Sequence, residues 1–137
     1  MRYDIAFLRG DQAAMGRQVA LARKETGAEA LVSDVQAFAL AYTGRLHEAR
    51  QSSRHAAELA EEASQREAEA LYEIGAAVWE ALSGNGAAAT RNALAALDRS
   101  RDREVEYGGG FALALAGDSR LAETLTNDFS RKGIYRL

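Results

Sequence analysis

The apolar residues of this chain recur at helical spacing along almost its whole length, and short polar breaks separate the apolar segments. Apolar residues three and four positions apart indicate amphipathic helices. The pattern predicts helices over residues 2–9, 11–25, 29–43, 46–63, 65–83, 87–99, 102–116 and 119–131. Alternating runs rich in Val, Ile and Thr, which are typical of strands, do not occur in the sequence. The sequence therefore predicts an all-α protein.

Four of the breaks share one form: a large apolar residue, a spacer, Gly and a polar residue. They read Leu8-Arg9-Gly10-Asp11, Tyr42-Thr43-Gly44-Arg45, Leu82-Ser83-Gly84-Asn85 and Leu115-Ala116-Gly117-Asp118. Their glycines are separated by 34, 40 and 33 residues. Gly readily takes the left-handed conformation that ends a helix, and the polar residue after it can begin the next helix. Each break therefore predicts the turn of a helical hairpin, and the 40-residue spacing predicts a longer pair of helices with a joint near Ser64.

Small residues recur at fixed distances behind these turns. Five residues after the turn glycines stand Met15, Ala49, Ala89 and Ala122, and twelve residues after them stand Ala22, Ala56, Ala96 and Phe129. Small residues at these positions let the two helices of a hairpin cross closely, because the distance between helix axes depends on the side chains at the contact. Phe129 is the exception in this series.

A helix-turn-helix unit of about 34 residues, with Gly in its turn and small residues five and twelve positions later, resembles the tetratricopeptide repeat (TPR). The Pro that usually closes each unit and the Trp-Leu-Gly-Tyr pattern of its first helix are missing here, so these are divergent repeats. A helical repeat of another family is the alternative. The order Phe-Leu-Arg-Gly-Asp, then Tyr-Thr-Gly-Arg-Leu followed by Glu-Ala-Arg, is also similar to TPR regions of bacterial serine/threonine kinases or winged-helix regulators.

The resemblance implies that residues 1–137 form a single TPR-like helical repeat domain. Its fold would be a right-handed α-α superhelix (TPR-like solenoid) of three to four helical hairpins. Solenoids need polar capping repeats at their ends, whereas the last residues of this chain include Ile134, Tyr135 and Leu137. We therefore expect a fragment of a longer protein, or a homodimer that buries its exposed repeat ends.

In tetratricopeptide arrays the first helix of each pair lines a concave groove that binds peptides. Alignment on the turn Gly carries this partner-binding groove over to Asp34, Phe38, Tyr42, Ile74, Val78, Tyr107 and Phe111. The groove would be apolar and aromatic with an acidic edge, which suits an amphipathic helix or an extended hydrophobic segment. The alternative is that the same residues pack on the following helix or the next repeat. The Lys/Asn clamp that holds a C-terminal carboxylate in some family members is not reproduced, which disfavours binding of chaperone tails.

Composition narrows the classes of function. The chain has 137 residues, 30 of them Ala and none Pro, which favours one domain of closely packed helices. The absence of Cys removes disulfides, thiolate nucleophiles and Cys-based zinc sites. A net charge of -3 argues against a nucleic-acid partner. No apolar run reaches the roughly 18 residues of a membrane span, and no signal peptide is visible. We expect a soluble, cytoplasmic protein without cofactor or metal.

The two histidines are the first candidates for site chemistry. His47 and His55 lie eight residues apart on one predicted helix, about 12 Å by helical rise, which is too far to share one metal ion. We expect both on a solvated helix face. A basic patch for a phosphate group, with Arg45, Arg50 and Arg54 beside the histidines, is the alternative.

Other candidates also have structural interpretations. The run Gly108-Gly109-Gly110 predicts a continuous but weak helix, because each interior Gly costs about 1 kcal/mol relative to Ala; a flexible joint before Phe111 is the alternative. Trp79 is expected to fill the core. The carboxylate pairs Glu61-Glu62 and Glu67-Glu69 are expected on solvated helix surface.

No nucleophile with a candidate base is visible in the sequence. The sequence therefore predicts a non-catalytic protein-protein interaction scaffold that binds a peptide or helix in its concave groove. The alternative is a self-association or spacer domain of a larger bacterial signalling or transcription-regulatory protein.

Overall fold

The structure, a computed structural model, describes residues 2–25 and 27–131, without the side chains of residues 129 and 130. It contains eight helices: α1 (Tyr3–Leu8), α2 (Gln12–Ala22), α3 (Ala28–Tyr42), α4 (Leu46–Glu62), α5 (Arg66–Leu82), α6 (Gly86–Arg99), α7 (Arg103–Leu115) and α8 (Ser119–Arg131). No strand occurs within the described residues, and the predicted all-α class is confirmed. Each helix begins and ends within three residues of its predicted bounds. The Phe129 side chain and the apolar residues 134–137 lie outside the described part of the chain.

The hairpins close at the four predicted glycines. Gly10, Gly44, Gly84 and Gly117 all have positive φ, between 68° and 84°. At the second corner the Gly44 amide donates to the Ala41 carbonyl at 3.0 Å, and the Arg45 amide donates to the Leu40 carbonyl at 2.9 Å. The same two bonds recur at the other three corners. They satisfy carbonyls that a helix end otherwise leaves unpaired, which explains why one short sequence produces one turn geometry four times.

A fifth corner of this kind joins the second hairpin to the third. Ser64 has a φ of 57°. Its amide donates to the Glu61 carbonyl at 2.9 Å, and the next amide, of Gln65, donates to the Ala60 carbonyl at 2.8 Å. The predicted joint near Ser64 is confirmed, and the long spacing arises because α4 and α5 have 17 residues each.

The hairpins follow one another in space in the order of the chain. The first helices of the hairpins are α1, α3, α5 and α7, and the second helices are α2, α4, α6 and α8. From the second hairpin onward, each first helix packs against both helices of the hairpin before it. Among the described residues, no helix contacts another more than two places away in the chain.

Small residues bring the helices together. Ala49 and Ala56 of α4 and Ala89 and Ala96 of α6 have no exposed surface, as the predicted crossings require. Ala22 is also buried, whereas Met15 and Ala122 are half-buried. The core is consequently built of many short side chains, with Leu113 and Val105 its largest fully buried apolar ones.

The glycine run lies inside the continuous helix α7, as predicted. A Cβ built on Gly108 would lie 2.6 Å from Cγ2 of Ile74, and one on Gly109 would lie 3.1 Å from Leu97. Side chains of α5 and α6 therefore press directly on the backbone of α7. This close packing explains why the helix contains glycines that weaken it locally.

Ion pairs connect α5 to the hairpin before it and to the second helix of its own hairpin. Arg50 of α4 donates two hydrogen bonds to the carboxylate of Glu80 on α5, at 2.6 and 3.0 Å. Arg99 of α6 pairs with Glu69 at 2.9 Å and with Glu73 at 3.0 Å, both on α5. The prediction of a solvated Glu69 was wrong, because Glu69 lies on the buried side of α5 and pairs across the hairpin.

We expect Ser64→Gly to raise the free energy of unfolding by about 0.5–1 kcal/mol, because Gly takes a positive φ without the steric cost that Ser carries. Gly44→Ala is the matched opposite change, and it should lower the free energy by about 1 kcal/mol. Urea denaturation followed by circular dichroism measures both. A shift in the same direction for both variants would contradict the corner geometry.

We expect Gly108→Ala to lower the free energy of unfolding by about 1 kcal/mol or more, since overpacking against Ile74 outweighs the gain in helix propensity. Gly16 is the control, because it lies inside α2 and a Cβ there would meet no atom within 4 Å. Gly16→Ala should therefore stabilise the protein by about 0.5–1 kcal/mol. Equal stabilisation by both changes in thermal unfolding would show that α7 does not approach α5 closely.

Candidate functional site

Residues two, six and ten positions before each turn glycine lie on one side of each first helix, since four residues make little more than one helical turn. They form four rows: Asp4 and Leu8 on α1; Asp34, Phe38 and Tyr42 on α3; Ile74, Val78 and Leu82 on α5; Tyr107, Phe111 and Leu115 on α7. Successive first helices pack against each other. The rows therefore lie side by side, and we call this surface the first-helix stripe.

The positions nearest the turns face solvent. Two residues before the glycines, Tyr42 is 85% exposed and Leu82 is 70% exposed. Six residues before them, Phe38 and Phe111 are also exposed. The Tyr42 and Phe7 rings form a T-shaped pair, with ring centroids 6.1 Å apart and planes at 89°. This part of the first-helix stripe is thus an aromatic and aliphatic surface open to a partner.

Ten residues before the glycines, Asp34 and Ile74 lie against the next first helix. Ile74 is only 7% exposed and belongs to the core, because it packs on Gly108 of the next first helix. Val78, one turn further along, is half-buried against the same core. Tyr107, the counterpart of Ile74 on α7, is exposed. Of the predicted groove residues, Ile74 therefore offers no surface, whereas the aromatic ones do.

Asp34 holds the place on α3 that Ile74 holds on α5. A Cβ built on Gly75 would lie 3.5 Å from Oδ1 of Asp34 and 3.0 Å from the Phe38 ring. Gly75 and Gly108 both stand nine residues before their turn glycines, but Gly108 meets Ile74 alone, whereas Gly75 meets Phe38 first and Asp34 second. An acidic side chain thus lies beside an aromatic one at a contact between first helices that the next hairpin makes with a single apolar residue.

The surroundings of Asp34 leave its charge uncompensated. Oδ1 is buried and has no hydrogen-bond partner among the described residues. Burial raises the pKa of the Asp34 carboxyl to about 7. Burial and the nearby Asp34 carboxylate together raise the pKa of Tyr72 on α5. The carboxyl is therefore held in its place at a cost in stability, since no cation of the described chain neutralises it.

A cleft lies between α4 and α6, over α5 and away from the first-helix stripe. It is an open cleft of about 320 Å³, lined by His47, Arg54 and Arg91 among others. Its two acidic residues, Glu73 and Glu80, are both paired with arginines. Burial acts to raise the Glu80 pKa, but hydrogen bonds from Arg50 and then Asn85 bring that pKa below its ordinary value. Because Arg50 is bound to Glu80, it is not free to form a basic patch for a phosphate group.

The other residues singled out in the sequence make contacts within the fold and do not form a site together. His47 is exposed and lies 3.2 Å from Gln51, and His55 is exposed and lies 3.0 Å from Glu29 on α3. Trp79 is buried against Ala49 and Ala76, as a core residue. Within residues 2–25 and 27–131, no group of three or more His, Cys, Asp or Glu side chains is arranged to hold a metal ion.

Compared with protein-family models, curated proteins and solved structures, the chain matches none of them. In the part of the chain that the structure describes, the helices lack the length and apolar character needed to cross a membrane.

Two features of the sequence point to this site. The glycines at positions 75 and 108 share one distance from their turns, which marks a close contact between first helices. The column ten residues before the turns contains Asp34, Ile74 and Tyr107, in which the aspartate is the exception. An acidic residue in a column of interhelical contacts is a candidate for function rather than for packing.

We expect Asp34→Asn to stabilise the protein at pH 8 and to have little effect at pH 4. The folded-state pKa of Asp34 lies above its unfolded-state value, so wild-type stability falls as pH rises from about 4 to 7. The gain for Asp34→Asn should reach the order of 2 kcal/mol above pH 7, after allowance for the partial exposure of the side chain. Urea denaturation from pH 4 to pH 8 measures this. A gain independent of pH would contradict the raised pKa.

Proposed function

We propose that this chain is a non-catalytic protein-protein interaction module, in which TPR-like hairpins stack into a right-handed superhelix and the first helices line its concave face. The observation that carries the proposal is the distribution of exposed apolar side chains. Eleven large apolar side chains are exposed among the described residues, and nine of them lie on first helices. Only Leu21 and Leu94 lie on second helices.

The physical argument is that contiguous exposed apolar surface is unfavourable in water and marks a place where a partner binds. Phe38, Tyr42, Tyr107 and Phe111 are rigid aromatic side chains, which lose little conformational entropy on binding and often dominate interface energies. Their spacing along two first helices suits an amphipathic helix or an extended apolar segment. We further propose a cytoplasmic, regulatory setting, which rests only on the sequence resemblance to TPR regions of bacterial kinases and regulators.

Self-association is the second candidate, and the same observation favours it, because a second copy of the chain could cover the first-helix stripe. Sedimentation distinguishes the two candidates. If the protein is a dimer that dissociates when Phe38→Ala and Tyr42→Ala are combined, the first-helix stripe forms the contact between two copies. A concentration-independent monomer would discard self-association.

We expect the protein to select apolar peptides from a displayed library of random dodecapeptides. Phe38→Ala/Tyr42→Ala should weaken binding of a selected peptide at least about tenfold, because it removes two central aromatic contacts. Fluorescence anisotropy measures the affinity, and circular dichroism checks that helix content is kept.

The matched control for this experiment is Leu21→Ala/Leu94→Ala, which removes two exposed apolar side chains from second helices. This variant should change the affinity less than about twofold, since surface positions outside an interface contribute little. Equal losses for the two double variants, or unchanged binding by the first, would refute the assignment of the site to the first-helix stripe.

A further inference from the structure

We infer that Asp34 determines the specificity of the first-helix stripe, and that the bound segment places a Lys or Arg side chain against this carboxylate between apolar side chains. This inference rests on the proposed function and names the chemical class of its partner.

The first step is the register of the first helices. Asp34 and Ile74 stand at the same distance from their turn glycines, and each lies over a glycine of the next first helix. Ile74 shows that an apolar side chain fills this place well, with only 7% of its surface exposed. An apolar residue at this position would avoid the cost of burying a carboxylate. The use of an aspartate here therefore lies in its charge.

The second step is the state of the carboxyl group. Oδ1 is buried without a partner, and neither oxygen of Asp34 makes a hydrogen bond or ion pair within the described residues. The side chain as a whole is partly exposed, so a ligand on the stripe can reach the carboxylate through its other oxygen. Asp4, the other acidic residue of the stripe, already lies 3.4 Å from Arg2. Asp34 is therefore the acidic group on this surface that still lacks a cation.

The third step is the surface around the carboxyl. The Phe38 ring contacts the same glycine as Asp34 does, and Tyr42 lies one turn further along the helix. The aliphatic stem of Lys or Arg packs well on aromatic surface while its charged head reaches a nearby carboxylate. A partly buried carboxylate also rejects acidic segments, because like charges at short distance are repelled more strongly there than in water. The surroundings thus fit a basic residue flanked by apolar ones.

The test uses phage-displayed random dodecapeptides selected on the wild-type chain and on Asp34→Asn. Wild type should enrich apolar sequences with one Lys or Arg at a fixed place, and Asp34→Asn should enrich apolar sequences without that basic residue. A selected peptide is then synthesised in two forms, with Lys or with norleucine at this place. Replacing Lys by norleucine should weaken binding to wild type about tenfold and binding to Asp34→Asn less than about twofold.

Asp4→Asn is the matched control, since it removes an acidic group from the same surface and should leave the preference for Lys unchanged. Carbon NMR of the Asp34 carboxyl gives an independent readout, because the Lys peptide should lower its pKa and the norleucine peptide should not. A structural role alone would not produce this difference.

The outcomes separate the two proposals. If apolar peptides bind through Phe38 and Tyr42 but Lys and norleucine forms bind equally to wild type, the inference on Asp34 is overturned and the interaction module stands. If no peptide is enriched on wild type, the proposed function fails and the inference fails with it. If the preference for Lys persists in Asp34→Asn, another group recognises the basic side chain and the assignment to Asp34 is wrong.

Discussion

The close approach of successive first helices is the constraint on which the rest of this structure depends. It is possible because α5 and α7 have glycines, Gly75 and Gly108, where the preceding first helix presses on their backbones. Phe38 and Asp34 of α3 lie against Gly75, and Ile74 of α5 lies against Gly108, whereas Tyr42 at the end of its row stays in solvent. The close spacing of these first helices thus depends on the absence of a Cβ at two positions.

A core of short side chains needs additional specificity, because alanines interdigitate without a strong preference for one register. The cross-hairpin pairs supply it in this fold. Glu80 is almost completely buried, and Arg50 binds both of its oxygens from the neighbouring helix. A pair of this kind adds little net stability because the Glu80 carboxylate loses its water, but a shifted register would leave that buried charge alone. The ion pairs therefore help to select one alignment of the hairpins and contribute little to the free energy of unfolding.

Asp34 is an exception to this pattern of paired buried charges. The charges at the hairpin interfaces have partners within the chain, whereas Oδ1 of Asp34 is buried without one, in a gap that Ile74 fills with an apolar side chain in the next hairpin. Proteins retain such locally unfavourable residues where function requires them. The stability that this residue costs and the specificity that it is proposed to confer are two effects of the same uncompensated charge.

The sequence by itself determined the eight helices and their turns, because left-handed glycines and helical periodicity act within a few residues of the chain. It also indicated the alanine crossings, since they repeat at fixed distances from the turns. Tertiary structure decided which helix faces which side chain. Glu69 looked like a solvated residue until α6 brought Arg99 to it, and Ile74 looked like a groove residue until α7 covered it. Burial and charge compensation depend on residues far away in sequence, so only the packed fold could reveal the surroundings of Asp34.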